Sequence, residues 1–208
     1  MFVRIATTKM APDRTDQGIA AFEQQVVPVV RQQPGYLGAA LLVVREAGES
    51  YGITYWESLD ALNASEEMSL RRRADVTASI GATVLDVDRF EMVIAERAPG
   101  AEPRKGTYTR ANVLYAQPER IDELISFMRE RSGAVLQQEG CRALLMGVNR
   151  MTGRTFVNSV WDTAAHRDAS EASVARLRQE ASEVAGGEVR VTLGENAFVE
   201  LRLPVPRS

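Results

Sequence analysis

The 208-residue sequence has one cysteine, one histidine and no long apolar run, and each scarcity excludes a class of protein. The single cysteine, Cys141, excludes an internal disulfide and a cysteine-rich metal centre. His166 cannot form a zinc or iron site alone, because such sites need three or four ligands. The longest apolar run, residues 36–44, is far shorter than the roughly 20 residues that span a bilayer. We therefore expect a cytoplasmic protein without membrane contact and without a metal, haem or flavin cofactor.

The charge balance and the absence of common motifs narrow the field further. Lys and Arg number 25 against 28 Asp and Glu, for a net charge of −3, which disfavours non-specific binding to nucleic-acid phosphates. The sequence has no phosphate-binding glycine loop and no nucleophile elbow. Its first residues lack the charged-then-apolar pattern of a secretory signal. The remaining expectation is a small-molecule partner.

The chain contains two diverged copies of one unit. Trp56 recurs as Trp161, 105 residues later, and upstream Arg4 recurs as Arg110, 106 residues later. The change of offset means that one residue has been gained or lost within the first helix. An ordered series of landmarks is a strong repeat signal. The pairs at the 105-residue offset are Gly35 and Gly140, Arg45 and Arg150, Gly48 and Gly153, and Trp56 and Trp161.

Each copy has the pattern β-α-β-β-α-β. Gly35 and Gly140 are predicted to end the first helices with positive φ, Gly48 and Gly153 to turn hairpins, and Ser58 and Thr163 to cap helices. Pro28 should bend the first helix, and the last strand is predicted from Val189 to about Leu203. We predict an α+β fold of two ferredoxin-like repeats, packed sheet to sheet as an intrachain dimeric α+β barrel, since strand 39–44 looks buried on both faces. The predicted domains are repeat one at 1–98, a linker at 99–106 and repeat two at 107–208.

The residues after the third strands carry a family resemblance. Gly35 precedes strand two, and Trp56-Glu57-Ser58 and Trp161-Asp162-Thr163 follow strand three. This pattern resembles the antibiotic biosynthesis monooxygenase-like superfamily, whose members adopt the dimeric α+β barrel. The resemblance implies one of three activities: oxidation of polyphenols to quinones without metal or flavin, haem degradation, or muconolactone-type isomerisation.

Two departures from that family bear on the choice of activity. Many members carry a histidine nine residues after the tryptophan, where this sequence has Ser65 and Ser170. Haem-degrading members also need an axial histidine further along the same helical region, and neither copy has one there, so haem oxygenation is not expected. One family position is kept. The strand-one asparagine, which holds substrate or oxygen in family members, matches Asn112, and the equivalent position in copy one is Ala6.

The candidate site residues lie mainly in copy two. Asn112 and His166 are the catalytic candidates, as a donor to substrate oxygen and as a general base for a phenol. Trp161, Asn158 and Trp56 are the substrate-binding candidates, with the tryptophans as walls against an aromatic ring. Each has a structural alternative: a backbone hydrogen bond for Asn112, an exposed helix position for His166, and core packing for the tryptophans. Asn112, Asn158 and His166 correspond to Ala6, Ile53 and Ala61 in copy one.

A second set of candidates is cationic. Arg71 and Arg73 match Arg176 and Arg178, close to several glutamates. They form either a solvated helix face with spaced ion pairs or a positive group at the mouth of a pocket for an anionic or quinonoid substrate.

Together these observations predict a cofactor-independent monooxygenase that acts on an aromatic polyketide or quinol-type small molecule. The functional pocket is expected in copy two, between its sheet and helices. Two alternatives stay open: a non-redox isomerase or cyclase on the same fold, and a small-ligand-binding protein without catalysis. A monomeric pseudo-dimer and a homodimer are both compatible with the sequence.

Overall fold

The structure is a computed structural model that describes residues 1–201, so the predicted end of the last strand at Leu203 lies outside the described residues. The first half contains four strands: β1 (Phe2–Lys9), β2 (Tyr36–Val44), β3 (Glu49–Trp56) and β4 (Thr83–Arg97). Its helices are α1 (Thr15–Ala21), α2 (Val27–Val30), α3 (Leu59–Ala64) and α4 (Glu66–Ile80), with a π-helical turn at Phe22–Val26 between the first two.

The second half repeats this order of elements. Its strands are β5 (Thr107–Tyr115), β6 (Cys141–Val148), β7 (Arg154–Trp161) and β8 (Val189–Leu201). Its helices are α5 (Ile121–Leu136), α6 (Ala164–Ala169) and α7 (Glu171–Ala185). The halves are thus repeat-like, as the sequence predicts, and the α+β fold is confirmed.

Within each half the strands are hydrogen-bonded antiparallel, in the order β1-β3-β2 in the first half and β5-β7-β6 in the second. Register is the same in the two halves. Phe2 lies opposite Trp56 as Tyr108 lies opposite Trp161, and β2 and β6 each have an irregularity after their first residue. The chain divides into two compact units. Unit 1 comprises residues 1–89, 103–105 and the described part of 196–208, and unit 2 comprises 90–102 and 106–195.

The hairpin glycines and the helix N-caps behave as the sequence predicts, whereas the first helices end before Gly35 and Gly140, at the C-caps Arg31 and Gln137. Gly48 and Gly153 have φ of 64° and 73°, and a Cβ there would lie 2.1 Å and 1.9 Å from a backbone oxygen, so only glycine fits. Gly35 and Gly140 also have positive φ. The side chains of Ser58 and Thr163 each accept a 3.1 Å hydrogen bond from a backbone N–H of the following helix.

The first helix is where the halves differ most. In the second half α5 is one uninterrupted α-helix of 16 residues. In the first half the π-helical turn Phe22–Val26 separates α1 from α2, and Pro28 lies in the first turn of α2. A π-turn closes its hydrogen bond one residue later than an α-turn, so it accommodates one additional residue. This accounts for the one-residue change of offset between the copies.

Gly133 offers a simple test of how the second half is stabilised. It lies inside α5, and a Cβ there would meet nothing within 4 Å. Gly133→Ala should raise the free energy of unfolding by about 0.5–1 kcal/mol, because alanine loses less backbone entropy in a helix. Thermal melting should show a Tm higher by roughly 1–4 °C. A lower Tm would show that Gly133 is needed for packing.

Candidate functional site

Unit 1 contains a cavity of about 100 Å³ between its sheet and its helices. Its walls come from alternate positions of β1 and β3, from Leu41 of β2, from the first helical segments, and from one face of α4. Most of the lining is apolar, with polar groups gathered at the strand and α4 positions. The lining residues are Arg4, Ala6, Thr8, Met10, Gly18, Phe22, Val26, Val30, Leu41, Ser50, Gly52, Thr54, Ser69, Arg72, Arg73, Val76, Thr77 and Ile80.

Small residues keep this cavity open. Ala6 and Gly52 are adjacent on β1 and β3, and both line the cavity. A Cβ at Gly52 would come within 3.1 Å of the Phe22 ring, so even one added carbon would press on the opposite wall. Phe22 and Val26 are the two ends of the π-helical turn, so the additional residue of copy one also shapes this wall.

A buried arginine ties the first strand to the helical layer in unit 1. The Arg4 side chain is only 3% exposed. Its guanidinium donates to Ser65 Oγ at 3.1 Å and Ser69 Oγ at 2.7 Å, and to the Leu62 carbonyl and Glu66 Oε2, both at 2.7 Å. A buried charge is tolerated only when it is paired and hydrogen-bonded, and this one has four acceptors.

Unit 2 repeats this arrangement. Arg110 is 1% exposed and donates to Ser170 Oγ at 2.7 Å and to the Arg167 carbonyl at 2.6 Å, with Glu171 Oε2 at 3.0 Å. Ser65 and Ser170 are the positions where many proteins of the resembling family carry histidine. In this chain both serines hold a buried arginine.

Glu66 is the centre of the charge cluster in unit 1. Its carboxylate lies 2.7 Å from Arg4, 2.8 Å from Arg89 and 3.7 Å from Arg73. Burial alone would raise the pKa of Glu66, but the hydrogen bonds and charges of Arg89 and Arg4 outweigh it, so the pKa lies below its ordinary value. Burial also lowers the pKa of Arg4 and Arg73, against the opposing effect of Glu66. One carboxylate therefore serves three guanidinium groups.

A second and smaller cavity, of about 40 Å³, lies in unit 2. Larger side chains fill the corresponding volume. Val157 replaces Gly52, Asn112 replaces Ala6, and Leu114 replaces Thr8. The lining residues are Arg110, Asn112, Leu114, Met128, Val135, Leu144, Val157, Ser159, Val174, Leu177, Arg178, Ala181 and Val189.

Asn112 lies on this second cavity. Its Nδ2 donates to the Val157 carbonyl at 3.0 Å, which is the structural role considered for it. Its Oδ1 is buried and has no partner among the described residues. Asn158 follows Val157 on β7. Because neighbouring strand residues face opposite sides of a sheet, Val157 lines this cavity and Asn158 does not. Its Oδ1 is also buried without a described partner.

The other predicted site residues lie away from both cavity linings. Trp56 and Trp161 are fully buried, and their indole N–H groups donate to Thr54 and Ser159 at 3.0 Å and 2.9 Å. His166 lies in the first turn of α6 beside Gly140, with Nε2 3.8 Å from Glu139 Oε1. The structure thus does not gather the five predicted residues on one cavity, and their functional roles stay predictions.

Sequence reasoning overlooked the cavity of the first copy. Arg4 and Arg110 are landmarks of the repeat. Because a charged residue is rare inside a strand that is partly buried, its recurrence in both copies also predicts a buried and paired cation. Arg73 and Arg178, considered for a pocket mouth, do line the first and second cavities. Nothing in the sequence marks Ala6 and Gly52 as cavity residues. Small residues leave a cavity open only where the opposing wall stays at a distance, and the sequence does not show which residues form that wall.

Comparisons with known proteins support the resemblance found in the sequence. Residues 1–74, within the first copy, match the antibiotic biosynthesis monooxygenase family model. The uncharacterized proteins Rv2557 and Rv2558 of Mycobacterium tuberculosis are 27% and 29% identical to the chain. Each match spans 98% of this chain, with 91% and 86% of the respective relative covered.

Solved structures share the fold of the whole chain. An anthrone oxidase-like protein superposes with a TM-score of 0.70 at 15% identity, covering 97% of this chain and 93% of the other. The haem-degrading enzyme LmHde of Listeria monocytogenes gives 0.55 at 9% identity, covering 94% and 99%. At these identities the likeness shows the fold alone. Within residues 1–201, no helix is long and apolar enough to cross a membrane.

The depressed pKa of Glu66 predicts a pH-dependent contribution to stability. A carboxyl with a lower pKa in the folded state stabilises above its unfolded pKa of about 4.3, and this contribution is lost as pH falls through the folded value. The Tm difference between wild type and Glu66→Gln should therefore be constant above about pH 5.5 and shrink below about pH 4. Glu67→Gln, at an exposed neighbour, serves as control. A difference that does not change between neutral and acid pH contradicts the ion cluster.

Gly52→Val tests whether the small residues keep the first cavity open. It introduces the residue that copy two carries at the equivalent position, so the strand should tolerate it. We expect the cavity to fill and the binding of naphthalene, measured by saturation-transfer NMR, to weaken by about tenfold or more, which corresponds to about 1.4 kcal/mol. Gly133→Ala is the control for an added carbon away from the cavity. Unchanged naphthalene binding in Gly52→Val would place the binding site elsewhere.

Proposed function

We propose that the chain is a cofactor-independent monooxygenase that oxidises an aromatic polyketide or quinol-type molecule in the cavity of unit 1. The observation that supports this most directly is an apolar cavity with a guanidinium-rich end, located in the copy that matches the monooxygenase family. Aromatic rings suit such a lining, which comprises Phe22, Leu41, Val76 and other apolar side chains.

The proposed reaction needs no external reductant. A substrate of the anthrone type carries an acidic CH₂ group conjugated to a phenol or ketone. Loss of a proton gives an enolate that transfers an electron to O₂, and recombination forms a carbon–oxygen bond. Loss of water then leaves a carbonyl. One oxygen atom enters the product and the other leaves as water, so the four electrons gained by O₂ all come from the CH₂ carbon.

The protein's part in this reaction is electrostatic and steric. Arg4 and Arg73 place fixed positive charge beside the cavity, where it favours the enolate over the neutral substrate. The Thr8 and Ser50 hydroxyls, 2.7 Å apart, offer a donor and an acceptor at the same wall. The apolar remainder excludes water from the reacting carbon, which strengthens these charges.

The cavity of unit 2 is a second candidate, favoured by one observation: the Oδ1 of Asn112 is buried and has no partner within residues 1–201. In this version Asn112 binds a substrate oxygen and a substrate phenolate handles the proton, whereas Trp161, Asn158, Trp56 and His166 do not line this cavity. The larger cavity favours unit 1, and variants in the two copies separate the candidates.

Haem degradation fits the described residues poorly. No His, Cys or Tyr occurs among the described residues that line the two cavities. Burial raises the pKa of the Cys141 thiol to about 11, so it remains protonated at neutral pH and is a poor haem ligand. We therefore assign no haem-dependent step.

Anthrone and ¹⁸O₂ test the proposal directly. The wild type should convert anthrone to anthraquinone faster than the uncatalysed reaction, with one labelled oxygen per product, as mass spectrometry would show. Gly52→Val should lower the rate by about tenfold or more, because a filled cavity cannot orient the substrate. Asn112→Ala should fold nearly normally, since Ala6 occupies the equivalent position, and should retain activity.

Three outcomes would count against this assignment. Activity lost in Asn112→Ala but kept in Gly52→Val would move the site to unit 2. Isomerisation or cyclisation without O₂ uptake would favour the non-redox alternative. Binding of anthrone without turnover would favour a ligand-binding protein.

A further inference from the structure

The two copies provide an internal comparison that separates residues of the fold from residues of the site. Both cavities keep a buried arginine from the first strand and a second arginine from the long helix, namely Arg4 and Arg73 or Arg110 and Arg178. Features common to both copies belong to the shared framework. Residues that differ at equivalent lining positions are the ones that distinguish the larger cavity.

Arg72 is the most marked of these differences. It lines the first cavity, whereas the equivalent position in the second is Leu177. One turn away Ser69 is replaced by Val174. Copy one therefore has a cation and a hydroxyl on a helix face that is apolar in copy two, and only the hydroxyl, that of Ser69, binds the buried Arg4.

Arg72 is also the lining cation without a protein partner. Arg4 and Arg73 both have Glu66 within 4 Å. Arg72 has no hydrogen bond or ion pair with any residue in the described range 1–201, although it is partly buried. The guanidinium nitrogens of Arg72 remain accessible at the cavity, so an anionic group of a ligand can reach them and supply the missing partner. Since one carboxylate already serves three neighbouring arginines, that partner is not supplied by Glu66.

The order of residues along α4 gives the cavity a polar and an apolar end. Ser69, Arg72 and Arg73 lie nearer the start of the helix, and Val76, Thr77 and Ile80 follow later, so the later part is mainly apolar apart from the Thr77 hydroxyl. Met10 extends the apolar end, where its sulfur packs against Gly18. A ligand that satisfies both ends has an acidic group joined to an apolar body.

We propose that the ligand of the unit 1 cavity is an aromatic carboxylate, whose carboxyl group binds Arg72 and whose ring lies towards Ile80 and Met10. The planar guanidinium matches a carboxylate through two parallel hydrogen bonds. The inference rests on the proposed function for the location of the site, but not for the reaction that occurs there. It narrows the substrate class to aromatic acids.

Equilibrium binding of 2-naphthoate and of its neutral analogue 2-naphthalenemethanol, measured by calorimetry, tests this proposal. The wild type should bind the acid at least about tenfold more tightly than the alcohol, and added salt should reduce the difference. Arg72→Leu should abolish the preference and leave alcohol binding unchanged. Leucine already occupies the equivalent position 177, so Tm should change little. Arg72→Lys should keep part of the preference.

Arg71→Gln is the matched control, because Arg71 carries the same charge on the same helix but pairs with Glu67 and is 76% exposed. It should behave as wild type. Equal binding of acid and alcohol by the wild type, an unchanged preference in Arg72→Leu, or an equal loss in Arg71→Gln would each overturn the proposal. So would the absence of binding by both probes.

The binding and turnover assays fail independently. Oxidation of anthrone without an Arg72-dependent acid preference would leave the proposed function standing and refute the substrate class. An Arg72-dependent acid preference without oxidation of any probe would support the substrate class and refute the proposed oxidation.

Discussion

The structure depends on a buried guanidinium that joins the first strand of each copy to its helical layer. Arg4 and Arg110 are almost fully buried, and each is neutralised by a glutamate at the start of the long helix. Removal of the glutamate from such a pair is unfavourable, because it leaves the charge of a buried guanidinium uncompensated. Since both copies keep this pair, it fixes where the long helix lies against the sheet, and the lining of each cavity follows from that position.

Around this constant framework, the copies have diverged in volume and charge. Copy one has small residues at Ala6 and Gly52 and one additional residue, which is taken up as a π-helical turn in the opposing wall. Copy two fills the same region and retains a cavity less than half as large. A chain with two linked copies can specialise one of them while the other contributes packing, an option that a symmetric dimer of identical chains lacks.

The sequence was sufficient for the fold and insufficient for the site. Periodicity, the glycine turns and the tryptophan pairs predicted the repeat-like halves, the hairpins and the caps, because those features follow from local rules. The change of offset located the helix in which the copies differ, but only three-dimensional packing shows it as a π-turn. Polar residues inside predicted strands and helices indicated Asn112, Asn158 and His166 as site residues. The larger cavity instead depends on small residues, Ala6 and Gly52. The role of Gly52 in keeping the cavity open is evident only from the structure, which places the Phe22 ring against it.

The central claim is that one cavity, in unit 1, binds the ligand with its acidic group at Arg72. A crystal structure with 6-bromo-2-naphthoate, phased on bromine anomalous scattering, tests this most directly. We expect one strong bromine peak per chain, at the apolar end of the unit 1 cavity near Ile80, with the carboxylate within hydrogen-bond distance of Arg72. A peak beside Asn112 in unit 2, or a ligand bound in unit 1 with its carboxylate turned away from Arg72, would contradict it.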